Sequence, residues 1–233
     1  MKNARTVPNL PTIEILFFDC DGVVLDSNRL KTEAFNTAEL PYGKNAAQAL
    51  VDHHIANGGI SHYVKLAHFL DHIVPEYAEV ETGPSLEDLL AAYANAVRAG
   101  FMTCSVADGL VELRAATPQA RWMIVSGGDQ AELRAVFAAR EIAEYFDAGI
   151  FGSPDTKDTI LSRELATGNL QSPALFLGDS RLDYEVAGRA GLDFVFISGW
   201  SEWTEGAKLA GTGAFPMVTY LADVQEREDG DQS

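Results

Sequence analysis

Four short segments carry side chains able to do chemistry. Asp19 and Asp21 close the apolar run Ile13–Phe18, in Phe17-Phe18-Asp19-Cys20-Asp21-Gly22-Val23-Val24-Leu25-Asp26-Ser27. Ser126-Gly127-Gly128 follows Arg121–Val125, and Lys157 follows Gly152-Ser153-Pro154-Asp155-Thr156. Asp179 and Asp183 lie in Gly178-Asp179-Ser180-Arg181-Leu182-Asp183. Carboxylates gathered at one place repel one another unless a proton or cation sits among them, and a hard divalent ion is the natural partner. An all-oxygen set without a His or Cys cluster fits magnesium, which takes one or two carboxylates, several waters and substrate phosphate.

Such a set forms only if the segments meet, and the intervening pattern says how they do. Ile13–Phe18, Arg121–Val125, Ala174–Leu177 and Asp193–Ile197 are short apolar runs that read as buried strands, with a weaker one at Ala148–Phe151. Helical patterns alternate with them, marked by Leu110, Leu113 and Arg114, by Leu133, Val136 and Phe137, and by Ile160, Leu161 and Leu165. The alternation implies an α/β fold, a doubly wound, Rossmann-like parallel sheet with helices on both faces. Ligands of such sheets bind beyond the carboxyl ends of the strands, where all four segments fall.

Residues 28–104 offer about four helical stretches and no convincing strand, with breaks at Pro41 to Gly43, Asn57 to Gly59, Pro75 and Gly83-Pro84. They read as a helical domain inserted into a core made of residues 12–27 and 105–225, with an acidic tail at 226–233.

In order and spacing the four segments resemble the motifs of the haloacid dehalogenase superfamily, in particular its phosphatases with a helical cap, such as phosphoglycolate phosphatase and beta-phosphoglucomutase relatives. The resemblance covers the first strand and roughly residues 107–200, and only the position, length and helical character of the cap. It implies a magnesium-dependent phosphatase acting on a small phosphate monoester, a sugar or polyol phosphate, through an aspartyl-phosphate. Asp19 would be the nucleophile and Asp21 the acid and base. Asp19, Asp179, Asp183 and the backbone carbonyl of Asp21 would hold the metal. Ser126, Gly127 and Lys157 would bind the phosphoryl group, with Ser126 and Lys157 counted in the catalytic set. The resemblance admits a phosphomutase as the rival activity. A metabolite-binding regulator on the same fold is a weaker rival, since a pure binder has little reason to keep this set intact.

Within the helical insertion, a polar concentration at His53, His54, Asn57, Gly58, Gly59, Ser61, His62, Tyr63 and Lys65 surrounds a helix break. Asn57, Gly58, Gly59, His62 and Lys65 are the candidates for leaving-group contacts; surface roles are the plainer reading for the individual histidines. Asp26 and Ser27 read as a cap or hinge for the first inserted helix, Ser180 as a helix cap, and Cys20 as a core residue.

Seventeen basic against 34 acidic residues give a net charge of −17, which repels nucleic acid and anionic lipid. A divalent cation can reverse that sign locally. Cys20 and Cys104 are far apart and form no metal-binding spacing, which fits a reducing cytoplasm. No apolar run is long enough to span a bilayer, and the oligomeric state is left open.

Overall fold

The computed structural model describes residues 5–167 and 173–225. The acidic stretch 226–233 lies outside the described residues. The strands are β1 (Ile15–Phe18), β2 (Arg121–Asp129), β3 (Gly149–Ser153), β4 (Ala174–Gly178), β5 (Asp193–Ile197) and β6 (Met217–Val218). They form one parallel sheet in the order β3-β2-β1-β4-β5-β6. β1 is therefore flanked by the two strands that carry Ser126 and Asp179. It begins two residues later than its apolar run, because Ile13 closes a short 3-10 turn over Leu10–Thr12. β2 runs beyond its expected end, with a register shift between Val125 and Asp129. β6 is too short for its two residues to show a pattern in sequence.

Both faces of the sheet are covered, which is why the strands read as continuous apolar runs. Ile15, Phe17, Met123, Val125 and Phe176 pack on Ile160, Leu161, Val186 and Ala187, from α8 (Lys157–Ala166) and α9 (Arg181–Ala190). Leu16, Phe18, Ile124 and Leu177 face the opposite layer, with Leu110 and Leu113 of α6 (Leu110–Ala116) and Leu133, Val136 and Phe137 of α7 (Gln130–Ala139). A last short helix, α10 (Gly206–Ala210), follows β5.

Between β1 and α6 lie α1 (Asn28–Glu39), α2 (Lys44–Ala56), α3 (His62–His68), α4 (Val74–Tyr77) and α5 (Leu86–Phe101), with no strand among them. The chain leaves and re-enters the sheet layer side by side, since Asp26 N–H donates to Ser105 O at 3.0 Å and Ala107 N–H to Val24 O at 2.8 Å. One expected break is absent. A π-helical stretch, Phe69–Ile73, joins α3 to α4, and its wider turn, in which the Val74 N–H donates to Phe69 O, carries the helix past Pro75. Among the described residues no helix is long and apolar enough to cross a membrane.

Glu39, at the end of α1, is fully buried, and among the described residues neither of its carboxyl oxygens has a hydrogen-bond partner. Burial pushes its carboxyl up to about 9, so the folded chain holds it protonated where the unfolded chain ionises it. The unfolded state thus binds fewer protons, and this group's effect is to lower stability as pH rises from about 4.5 toward 9. Glu39→Gln is expected to raise unfolding stability by roughly 1–3 kcal/mol at pH 8 and to change it little at pH 5, as read by urea titration at both pH values.

Candidate active site

The centre of the site is a set of carboxylates around one buried ammonium. Asp19 follows β1, and its backbone N–H donates to Leu177 O of β4 at 3.0 Å. Its Oδ1 accepts the Cys20 N–H at 2.7 Å and its Oδ2 meets Lys157 Nζ at 2.8 Å. Lys157 is the first residue of α8, and its Nζ also donates to Asp183 Oδ1 at 2.5 Å. The other oxygen of Asp183 accepts the Ser180 hydroxyl at 2.7 Å in a capping box that starts α9, so one residue both caps a helix and holds Lys157. Burial pushes Asp19 up to about 7, opposed by Lys157 and reinforced by Asp183. Burial, then the charges of Asp19 and Asp183, raise Asp179 well above the usual carboxylate range.

Asp19, Asp179 and Asp183 each offer an oxygen to a group whose atoms lie within 4.8 Å of one another, and all three are buried. Three buried carboxylates against one lysine leave excess negative charge, and every donor is oxygen. Those two facts fit a hard divalent cation such as magnesium. Asp179 is further held by Asn28 Nδ2, which donates to its Oδ2 at 2.6 Å and to Trp200 O at 2.9 Å.

Asp21 turns toward the inserted helices. Its Oδ1 accepts the Ser27 hydroxyl at 2.6 Å and its Oδ2 meets Lys31 Nζ at 2.5 Å. Burial alone would raise its carboxyl, but the Lys31 ammonium and these two bonds outweigh burial and hold it below the ordinary value. Ser27 occupies the N-cap position of α1 without a capping bond, a correction to its expected role, because its hydroxyl is spent on Asp21. Cys20 is fully buried in the core, and burial raises its thiol, which leaves no thiolate for attack.

The turn after β1 requires glycine at position 22. Gly22 has φ +73°, and a Cβ there would lie 2.2 Å from Asp179 Oδ2. A second close approach brings the two lobes together, since a Cβ on Gly127 would lie 2.2 Å from Gly59 O. Ser126 is fully buried beneath this contact, with its Oγ accepting the Gly128 N–H at 3.1 Å. Ser153 donates to Gly127 O at 2.9 Å and so fixes the loop from β3.

Asp19, Asp21 and Asp179 open into a cavity of about 460 Å³ between the sheet edge and the inserted helices, a size suited to a small molecule. Gly58, Gly59, His62 and Lys65 line it, as do Asn28, Lys31, Phe35, His54, Tyr93 and Glu202. Ser126, Lys157 and Asp183 lie behind the wall rather than on it, with Gly127 presenting the second strand's loop. Asn57 is the correction among the expected contacts. It is the C-cap of α2, its side chain donates to His53 O at 2.9 Å, and it does not line the cavity. His53 stacks on His68, whereas His54 is buried in the cavity wall against the expectation of a surface residue. Its position four residues after Leu50 and three after Val51 on α2 is the helical spacing that marked its face as buried. Asn28, Lys31 and Glu202 were not anticipated. Asn28 and Lys31 stand in the first turn of α1, directly after the first acidic segment, which is the signal available in sequence.

A model of haloacid dehalogenase-like hydrolases matches residues 13–191. The chain belongs to that family. Among solved structures, CbbY from Rhodobacter sphaeroides in complex with phosphate shares 20% identity at a TM-score of 0.66, with 91% of this chain and 96% of that one covered. A predicted phosphoglycolate phosphatase from Haemophilus somnus shares 15% identity at a TM-score of 0.72, covering 94% and 99%. A protein from Thermotoga maritima assigned as a beta-phosphoglucomutase shares 20% identity at a TM-score of 0.62, covering 92% and 97%. These likenesses are of fold. Comparison with curated proteins gives no match. Membership makes the chain a hydrolase of the haloacid dehalogenase-like fold, with the four sequence segments at the sheet edge where such a fold binds ligands.

Removing Lys157 leaves Asp19 and Asp183 buried without their common counter-charge. Lys157→Met is expected to cost roughly 3–5 kcal/mol of stability at pH 7.5. The loss should shrink at pH 5, where Asp19, which burial already pushes up to about 7, takes up a proton, as measured by urea unfolding at both pH values.

Proposed function

We propose that this hydrolase is a magnesium-dependent phosphatase that cleaves a small phosphate monoester through an aspartyl-phosphate, with residues 28–104 acting as a cap over a core of residues 12–27 and 105–225. The observation that carries the reading is Asp19 itself. It is a buried carboxylate at the cavity floor, oriented by a backbone N–H and by Lys157, with a second carboxylate two residues on. Each Asp19 oxygen accepts one hydrogen bond and keeps a second lone pair, so orientation does not block attack.

Asp19 attacks phosphorus, the bond to the leaving alcohol breaks, and Asp21 supplies the proton the departing oxygen needs. Asp21 then takes a proton from water as that water attacks phosphorus, which releases inorganic phosphate and restores Asp19. Lys157 offsets the charge that collects on Asp19 and the transferring group, while Ser126 and the neighbouring backbone hold a phosphoryl oxygen. Magnesium held by Asp19, Asp179, Asp183 and the backbone carbonyl of Asp21 would neutralise a further phosphoryl oxygen. In the arrangement described, Lys31 and Ser27 keep Asp21 ionised, the form that takes a proton from water. Donation to the alcohol requires Lys31 to part from Asp21, and Lys31 is carried by α1 of the cap.

Asn28 fixes Asp179 from the cap side, and partners of this kind carry a tenfold to hundredfold share of metal affinity. With p-nitrophenyl phosphate as substrate, the expected outcome is activity that needs added magnesium and is abolished by chelation. Asp19→Asn should lower kcat at least about a thousandfold with the fold intact by circular dichroism. Asn28→Ala should raise the magnesium concentration for half activity by about 10–100-fold. Unchanged turnover in Asp19→Asn, or full activity in chelator, would sink the reading.

A further inference from the structure

Three buried lysines stand at or behind the cavity wall, Lys31 and Lys65 lining it and Lys157 behind it, and two of them have carboxylate partners. Lys157 meets Asp19 and Asp183, and Lys31 meets Asp21. Lys65, on α3, is only 1% exposed and has no carboxylate within 4.0 Å among the described residues. Both of its hydrogen bonds go to one neutral residue, at 2.7 Å to His54 Nδ1 and at 3.5 Å, a weak contact, to His54 O. A buried ammonium without an anion is costly, so the position asks for one.

The surroundings say where that anion must come from. His54 is no counter-ion, because an imidazole is either neutral or cationic, and here burial and the charges of Lys65 and Lys31 push it down to about 2 and keep it neutral. Glu202 lies on the far side of the same ring, 3.9 Å from His54 Nε2, with its carboxylate engaged by the Thr32 hydroxyl at 3.0 and 3.1 Å. Asp21 is already taken by Lys31. Burial, with the charge of Lys31 adding to it and those of Asp21 and Glu202 opposing, drives Lys65 down to about 7. His62, kept neutral by burial, completes this side of the wall, its ring stacked on Tyr93 at 4.9 Å. Lys65, His54 and His62 all line the cavity into which Asp19 opens.

We propose that Lys65 is the anchor for a carboxylate on the substrate's leaving group, so that the enzyme prefers phosphate esters of hydroxy acids over those of neutral polyols. This rests on the phosphatase reading for its chemistry but not for its binding contact. The substrate would present its phosphoryl group to Asp19 and its carboxylate to Lys65, with the carbon chain between them along Phe35 and Tyr93. A polyol phosphate, which carries no carboxylate, would leave Lys65 unpaired, and the differential cost is what discriminates between the two.

Matched pairs of esters test this: 6-phosphogluconate against sorbitol 6-phosphate, and 3-phosphoglycerate against glycerol 3-phosphate. Each pair differs by a carboxylate in place of a CH₂OH group. Binding is measured by calorimetry to Asp19→Asn, which does not turn the ligand over, and kcat/KM is measured for the wild type with magnesium. In at least one pair the acid should bind at least about tenfold tighter, the lower end for a hydrogen bond to a charged group. The ratio should collapse toward unity when Lys65→Met is added and return in part with Lys65→Arg. Equal or weaker binding of the acid in both pairs, or a ratio that survives Lys65→Met, overturns the proposal. A Lys65-dependent binding ratio in a protein that hydrolyses no ester, p-nitrophenyl phosphate included, would support the subsite and reject the phosphatase reading alone.

Discussion

Negative charge crowded into a buried site governs this structure. Asp19, Asp179 and Asp183 stand close enough to share one ion, buried at the edge of the sheet. Ionised together they would repel strongly, and Lys157 alone cannot balance them. The first turn of α8 delivers its ammonium between Asp19 and Asp183, and the capping box of α9 fixes Asp183 on its far side. The surplus that remains fits a divalent cation, which could reverse the local sign in a protein whose net charge is −17.

The same constraint ties the inserted helices to the core. Asn28 donates to Asp179 and Lys31 pairs with Asp21, both from the first turn of α1, so the start of the insertion belongs to the electrostatics of the carboxylate cluster rather than being an appendage. Tyr63 donates to Asp129 at the end of β2, and Gly59 meets Gly127 with no room for a side chain. Any displacement of the insertion would therefore change the environment of Asp21 and Asp179 together, because Asn28 and Lys31 hold both carboxylates from α1.

The core was legible from residue types because each of its signals is local. An apolar run ending in Asp-x-Asp-Gly, a run ending in Ser-Gly, a lysine opening a helix and a Gly-Asp-Ser helix start each sit where parallel strands end, and parallel pairing brings them together. The helical insertion was less legible because its polar residues answer to tertiary contacts. Asn57 looked like a substrate contact and is a helix cap. Ser27 looked like a cap and holds Asp21. His54 carried a buried-face spacing that its polarity obscured. Glu202, on the loop after β5, reaches α1 across 170 residues of sequence, a meeting no local pattern encodes. Pro75 failed as a break because the π turn before it carries the helix through a residue that has no N–H.

The central claim is that Asp19 is the group that accepts the phosphoryl moiety, and covalent trapping tests it most directly. The protein is mixed with magnesium and a turned-over phosphate ester, quenched in acid within the first turnover, digested, and the peptides sequenced by mass spectrometry. The account predicts an acid-stable, hydroxylamine-labile phosphoryl group on Asp19 that disappears in Asp19→Asn. Phosphate on another residue, or phosphate release through a first turnover in which Asp19 never carries it, would contradict the account.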